Sequence, residues 1–349
     1  MSETPATLTE LRAAVLSAPR VIAVGAETKP RLSAVDAVKI STRQLSGITE
    51  YEPSEFTFTA LAGTPVKEII AALDEKGQYL PFDPMLVEAG STIGGVVASG
   101  LSGPGRFRYG GVRDFILGVR FVDGMGRLLR LGGKVVKNAA GFDVPKFLVG
   151  SLGRFGVIGE VTFKVFPKRE SMLTLEMPFE ADKMARIANS RFEADALDVL
   201  PGGAAMIVRL AGPGAALEVL AREIGGQIIS NTIWDAIRET PWNYKTDITP
   251  DQISGFKTAH VSCCGSVAFS QILPPRGMTL RGDAPLWIGV RPRYAIEAAV
   301  KQALDPQNRF PTLDEWSASV SSDHSPLSAP CGNKSPQTGE WSSTHSRSV

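Results

Sequence analysis

Residues 88–114, EAGSTIGGVVASGLSGPGRFRYGGVRD, carry eight glycines and few bulky side chains. Glycine loses more chain freedom on ordering than any other residue, so this density implies that something approaches the backbone closely. Clustered backbone N–H groups form a concavity suited to an anion, and Arg106, Arg108 and Arg113 lie in the same stretch. Holding a phosphate-like anion is the chemistry these residues could do. The structural alternative is a tight connection between packed strands. Ser91 or Thr92 is placed to cap the short helix-capable run that follows, and Gly94 and Gly95 would let a flat group lie against it.

Two further stretches share this character. VGAETKP (24–30) follows the strand-like VIAV, but it lacks GxGxxG spacing and Pro30 stops a helix from starting at once. No GxxxxGK[ST] occurs anywhere in the chain. In residues 132–165, Lys134, Lys137 and Asn138 precede a glycine turn, and GSLGRFGVIG then runs into a strand; a solvated face explains the lysines equally well.

Positioning these stretches requires alternating strands and turns. Residues 21–26, 37–41, 56–61, 118–123, 126–131 and 159–166 read as strands. One segment of the first half reads clearly as an amphipathic helix: Pro65 opens it, Val66, Ile69, Ile70 and Leu73 share a stripe, and Gly77 ends it. The expected fold class is α+β, with a two-lobed first domain over 1–168 and a smaller α/β, cap-like domain over 169–313. Pro167 and the charged residues 168–170 mark the boundary, and a Ser/Pro-rich tail over 314–349 lacks the aliphatics to offset chain entropy and is expected to be disordered.

Composition narrows the function classes. The 349 residues have 43% hydrophobic and 21% charged content and a net charge of +1, which disfavours a dedicated nucleic-acid surface. No apolar run reaches the ~20 residues of a membrane span, and the N-terminus lacks a secretory pattern. Cys263, Cys264 and Cys331 make no disulfide framework, and three histidines without paired CxxC encode no usual zinc or iron–sulfur site. A cytoplasmic protein is expected, with any membrane association made through partners.

Taken in order, GTPVKEIIAALDEKGQYLPFDP, STIGGVVASGLSGPGRFRYGGVRDFILGVRFVDGMG, KVVKNAAGFD and GSLGRFGVIGEVTFKVFP resemble the FAD-binding domain of the vanillyl-alcohol-oxidase-type (PCMH-type) flavoproteins and related D-2-hydroxyacid dehydrogenases. Within that superfamily the chain is most similar to the FAD-binding (E) subunit of bacterial glycolate oxidase, strongly over residues 20–168 and more weakly to about 313. The resemblance implies FAD held between two glycine-rich loops, here Val24, Gly25, Ala26, Glu27 and Thr28 on one side and Ser91, Thr92, Gly94, Gly95, Ser99 and Gly100 on the other. It further implies main-chain contact of Ile158 with the adenine and places Gly110 along the flavin side. Superfamily members that bind FAD covalently do so through His or Cys; here no His precedes His260 and no Cys precedes Cys263, so non-covalent FAD is expected. Phe142 stands where the motif has Tyr, and Phe310-Pro311 departs from the terminal Phe-Asn-Pro-Gly.

Three functional readings follow. In the first, the chain is the FAD-binding subunit of a glycolate-oxidase-type complex, in electron transfer or assembly beside a second flavoprotein subunit and an iron–sulfur subunit. In the second it oxidises a small 2-hydroxy acid or alcohol by itself, with His260 or an unrecognised residue as base. In the third it is a scaffold without cofactor, which the retained glycine loops disfavour. Arg291 and Arg293 could bind a carboxylate, although a strand end explains them too. No catalytic residue is identified.

Overall fold

The computed structural model describes residues 2–133, 142–291 and 293–317; Lys134, Lys137, Asn138 and the tail from residue 318 lie outside the described residues. The chain opens with helix Leu8–Leu16, capped by the Thr7 hydroxyl, which accepts from the Glu10 N–H at 3.1 Å. Its buried stripe is Leu11, Ala14 and Val15. Strands Ser2–Glu3, Val38–Ser41 and Val21–Val24 form a small parallel sheet in that order.

An antiparallel sheet of five strands follows, in the order Ile48–Glu52, Thr57–Leu61, Val157–Lys164, Ile116–Val122 and Leu128–Gly132. Val157–Lys164 shows why it forms: Val161 and Phe163 are buried while Glu160, Thr162 and Lys164 alternate with them on the other face. The rings of Phe58, Phe163, Phe82 and Phe115 form a chain of neighbours in that order, with centroids 5.7 to 5.9 Å apart. Helix Val66–Asp74 starts after Pro65 and buries Val66, Ile69 and Leu73, as the stripe predicts, with Ile70 partly covered.

Phe166–Pro167 pairs with Gln78–Tyr79, and the chain then enters a sheet of nine strands. Strand Ala205–Gly212 lies inside it and divides its side chains by period two. Met206 and Val208 face helices Ala181–Ala188 and Gly214–Ile224, while Ile207 faces Trp234 and Ile237 of helix Thr232–Glu239. The last helix, Ala295–Leu304, returns to the first core, where Val300 and Leu304 pack. Lys301 locks it there, donating to the Arg154 carbonyl at 3.0 Å and the Phe310 carbonyl at 2.6 Å and pairing with the buried Asp305 carboxylate at 2.7 Å.

Where the two halves meet, four charges are withdrawn from water together. Arg209 reaches Asp83 of the first half at 2.5 Å and Asp195 at 2.7 Å, and Arg169 reaches Asp195 at 2.6 Å. Asp83 also accepts the Gly105 N–H at 2.7 Å. Burial pushes the Asp83 carboxyl up, but Arg209, Arg238 and Arg169 outweigh it and hold the group below the usual carboxylate range. A buried charge left without its partner is costly, so Asp83→Asn is expected to destabilise the protein by about 3–5 kcal/mol in urea unfolding at pH 7. Because the folded carboxyl titrates below its unfolded value of about 3.9, the contribution is present above that pH and is lost on further acidification. The wild type should therefore lose stability below about pH 4 more steeply than Asp83→Asn, and parallel acid profiles would contradict this.

Candidate functional site

Three loops converge on one open cleft enclosing about 730 Å³, solvent included. The first leaves the parallel strand Val21–Val24, the second starts helix Ile93–Ser99, and the third is the glycine-rich turn that leads into strand Val157–Lys164. Of the residues expected from the sequence, Val24, Gly25, Ala26, Glu27, Thr28, Thr92, Gly94, Gly95, Ser99 and Ile158 line this cleft. Ser91 sits one layer behind, its hydroxyl 3.2 Å from that of Thr28. Gly100 ends the helix with φ +63° and lines a neighbouring cleft of about 1110 Å³, which shares Ser99 and Leu152 with the first. Gly110 is not brought to either cleft: with φ +86° it ends the turn 106–109 and lies against the Asp114 carboxylate, which accepts the Gly111 N–H at 2.8 Å.

Accounting for backbone donors separates the loops. In the helix Ile93–Ser99, the first N–H groups are already used: Ile93 donates to the Thr64 carbonyl at 3.0 Å, Gly94 to the Ala62 carbonyl at 2.8 Å and Gly95 to the Thr92 hydroxyl at 3.3 Å. In the 24–29 loop the N–H groups of Gly25, Ala26, Glu27, Thr28 and Lys29 donate to no acceptor among the described residues. Glu27 adopts a left-handed conformation there, φ +51°, the kind of local reversal that turns successive N–H groups toward one point. The first loop thus keeps its run of donors, while in the second those of Ile93, Gly94 and Gly95 are spent on the strand and loop they pack against.

The glycines differ in purpose in the same way. A Cβ on Gly94 would stand 2.7 Å from the Ala62 Cβ and 2.8 Å from its carbonyl oxygen, so this residue is small to let helix and strand touch. At Gly95 the added carbon would meet only the Thr92 hydroxyl at 3.2 Å, and at Gly25 the same hydroxyl at 2.5 Å. Around Thr92 the two loops approach each other through absent side chains.

Sequence reasoning missed Lys29, Thr42, Ala62, Leu152, Gly153 and Gly156, all of which line the cleft. Lys29 matters most. It is 9% exposed, its ammonium donates to the Thr28 hydroxyl at 3.0 Å, and it has no carboxylate partner among the described residues. Burial, with the nearby Arg281, lowers it to about 8. Five unsatisfied N–H groups and an uncompensated ammonium are suited to a diphosphate, and the apolar wall of Val24, Ala62, Ala98, Leu152 and Ile158 to a flat ring.

Of the other candidates, Arg291 lines the second cleft, while His260, Cys263, Cys264 and Arg293 line neither. His260 is 1% exposed inside the nine-stranded sheet, its Nε2 2.9 Å from the Asp198 carboxylate, which also accepts from the Ser262 hydroxyl at 2.9 Å and the Cys263 N–H at 3.0 Å. Cys263 and Cys264 are free thiols, and burial, aided by Asp198, pushes Cys263 up to about 12. Arg291 pairs with Glu297 at 2.9 Å and Asp314 at 3.0 Å, and Arg293 with Asp314 at 3.2 Å.

Comparison with known proteins agrees with this geometry. Residues 3–132 match the FAD binding domain family. The chain is 38% identical over 195 residues to glycolate oxidase subunit GlcE of Escherichia coli (strain K12), covering 55% of this chain and 56% of that protein. It is 33% identical over 138 residues to glycolate oxidase subunit GlcD of Bacillus subtilis (strain 168), covering 40% of this chain and 29% of that one. The matched part thus spans about half of one relative and under a third of the other. Among solved structures, alkyldihydroxyacetonephosphate synthase shares the fold, with a TM-score of 0.64 at 16% identity over 88% of this chain and 75% of that one. Residues 3–132 are similar to the FAD binding domain family, and FAD is the cofactor to which that match and the relatives point.

Proposed function

We propose that the chain is the FAD-binding subunit of a glycolate-oxidase-type dehydrogenase of 2-hydroxy acids, holding FAD non-covalently and serving electron transfer or assembly. The observation that carries this reading is the run of N–H groups from Gly25 to Lys29 without acceptors, beside the buried ammonium of Lys29. These groups would hold the cofactor's diphosphate, and the glycine contacts at Thr92 keep the two loops close enough to enclose it. Ile158, on the opposite wall, would flank the adenine, and Ser99 stands where the first cleft opens into the second. Bound FAD supplies a group able to accept a hydride from a hydroxy acid. No His or Cys among the described residues lines the cleft, which supports non-covalent binding.

Two relatives are named as subunits of glycolate oxidase, which supports an assembly of several chains; a second flavoprotein subunit and an iron–sulfur subunit are the partners proposed. We assign residues 1–168 to FAD binding and 169–313 to a cap-like unit. The reading in which this chain alone oxidises its substrate named His260 as base, and that ring is enclosed in the sheet away from both clefts. No helix among the described residues is long and apolar enough to cross a membrane, so attachment to one would go through the partners.

The purified chain is expected to show a flavin absorption band that passes wholly into the supernatant on acid precipitation. Colour remaining with the pellet would mean a covalent link, and a colourless protein that takes up no added FAD would end the proposal. Lys29→Gln should weaken FAD binding about tenfold or more, since a charge-assisted hydrogen bond contributes roughly 1.5–3 kcal/mol. In the free protein Lys29 is charged below about 8 and neutral above, so wild-type affinity should decline as pH rises through that value. Fluorescence titration at pH 7 and pH 9 should show this decline in the wild type and a smaller one in Lys29→Gln.

A further inference from the structure

Lys29 is the cation that the first cleft offers to an anion, yet its own side chain gives it no fixed place. Lysine carries its ammonium on a flexible four-carbon stem, and this one meets no carboxylate among the described residues. It donates to one hydroxyl, that of Thr28, at 3.0 Å. The Thr28 hydroxyl in turn stands 3.2 Å from that of Ser91. A hydroxyl has room for both contacts, since it carries one hydrogen and two lone pairs. The ammonium is therefore joined through Thr28 to Ser91, on the second glycine-rich loop.

Ser91 is the fixed end of this chain. It is 2% exposed, its N–H donates to the Leu86 carbonyl at 3.1 Å, and its carbonyl accepts the Val66 N–H at 2.8 Å where helix Val66–Asp74 begins. The stretch before it is clamped as well. The Glu239 carboxylate accepts the N–H groups of Val87 and Glu88 at 2.9 and 3.0 Å, and the Arg238 carbonyl accepts that of Leu86 at 3.0 Å. Thr28 and Lys29 line the cleft and Ser91 does not, so the Ser91 hydroxyl reaches the cleft only through Thr28. Thr28 is β-branched and has few side-chain rotamers, so one bond to a fixed neighbour suffices to set where its oxygen points.

We propose that Ser91 is a positioning residue for the cofactor's diphosphate: it does not touch FAD, but by fixing the Thr28 hydroxyl it holds the Lys29 ammonium beside the donor run of residues 25–29. The inference rests on the reading of this cleft as the FAD site. It gives Ser91 a part different from the direct cofactor contact that the resemblance implies. One hydrogen of the ammonium is spent on Thr28, and two remain for phosphate oxygens. An ammonium already held in place loses less freedom when the anion arrives, and affinity gains by that difference.

The test titrates the whole apo chain with FAD, ADP and riboflavin, of which only the first two carry a diphosphate. The proteins are the wild type, Ser91→Ala, Thr28→Val, Lys29→Gln, and Ser91→Ala combined with each of the other two. Alone, Ser91→Ala should weaken FAD and ADP about three- to tenfold and leave riboflavin unchanged, and Thr28→Val should lose at least as much. Added to Lys29→Gln or to Thr28→Val, Ser91→Ala should cost less than about twofold, because the group it positions or the link to it is already gone. The decline in FAD affinity from pH 7 to pH 9 should also be smaller in Ser91→Ala than in the wild type. Losses that simply multiply in the double variants would overturn the proposal, since Ser91 would then act on packing alone. An unchanged FAD affinity in Ser91→Ala, or equal losses for FAD and riboflavin, would overturn it too. A wild type that binds neither FAD nor ADP would instead remove the cofactor reading itself, and this inference with it.

Discussion

A run of backbone donors without protein acceptors among the described residues is the constraint on which the arrangement depends. Five consecutive N–H groups from Gly25 to Lys29 and the Lys29 ammonium meet no carbonyl or carboxylate among the described residues. Backbone donors without a protein partner must be met by a ligand or by water, and here they line a cleft open to either. The surrounding elements hold that run in position. Strand Val21–Val24 fixes where the loop begins and pairing with Val38–Ser41 fixes its plane; Pro30, expected from the sequence to stop a helix, instead opens the 3₁₀ turn Pro30–Ser33 that ends the loop, because proline is tolerated at a first helical position.

The second half of the molecule participates in this constraint rather than merely following it in sequence. Arg209 spans the junction to Asp83, Arg31 bonds to the turn 280–283, and helix Ala295–Leu304 returns to the first core through Val300 and Lys301. Each tie uses polar groups withdrawn from water, where geometry is specified more sharply than by apolar contact alone. The junction is therefore set by a few directional interactions, and the cofactor loop lies among them.

Much of this was legible in the sequence because strand alternation and the Pro65-to-Gly77 helix are local patterns, set by side-chain periodicity. Ten of the expected site residues line the cleft because the glycine runs that mark them must lie where chains approach closely. Helix Leu8–Leu16 escaped notice because its buried stripe rests on Leu11, Ala14 and Val15, and an alanine adds little contrast. Lys29 escaped because burial is a property of the folded whole: nothing in AETKPR distinguishes a lysine under a neighbouring loop from one in solvent. Which glycine loop keeps its donors free was equally hidden, since it depends on Ala62 and Thr64 lying opposite Gly94 and Ile93. Gly110 has the composition of a cofactor contact but serves a turn, because Asp114, four residues on, accepts from its neighbour.

The carboxylates available to the two clefts bear on what the proposed subunit does. Glu27 in the first is paired with Lys39 at 2.6 Å, and Asp247 in the second with Lys245 at 2.8 Å. Neither is a free base poised over a reacting atom, and His260 is spent on Asp198. A flavoprotein that removes a hydride from an alcohol also needs an acceptor for the hydroxyl proton, and the described residues around these clefts hold none that is uncommitted. The Gly25–Lys29 N–H groups and the Lys29 ammonium of the first cleft are suited instead to gripping an anionic cofactor. That arrangement suits the proposed subunit, in which another chain would handle the proton.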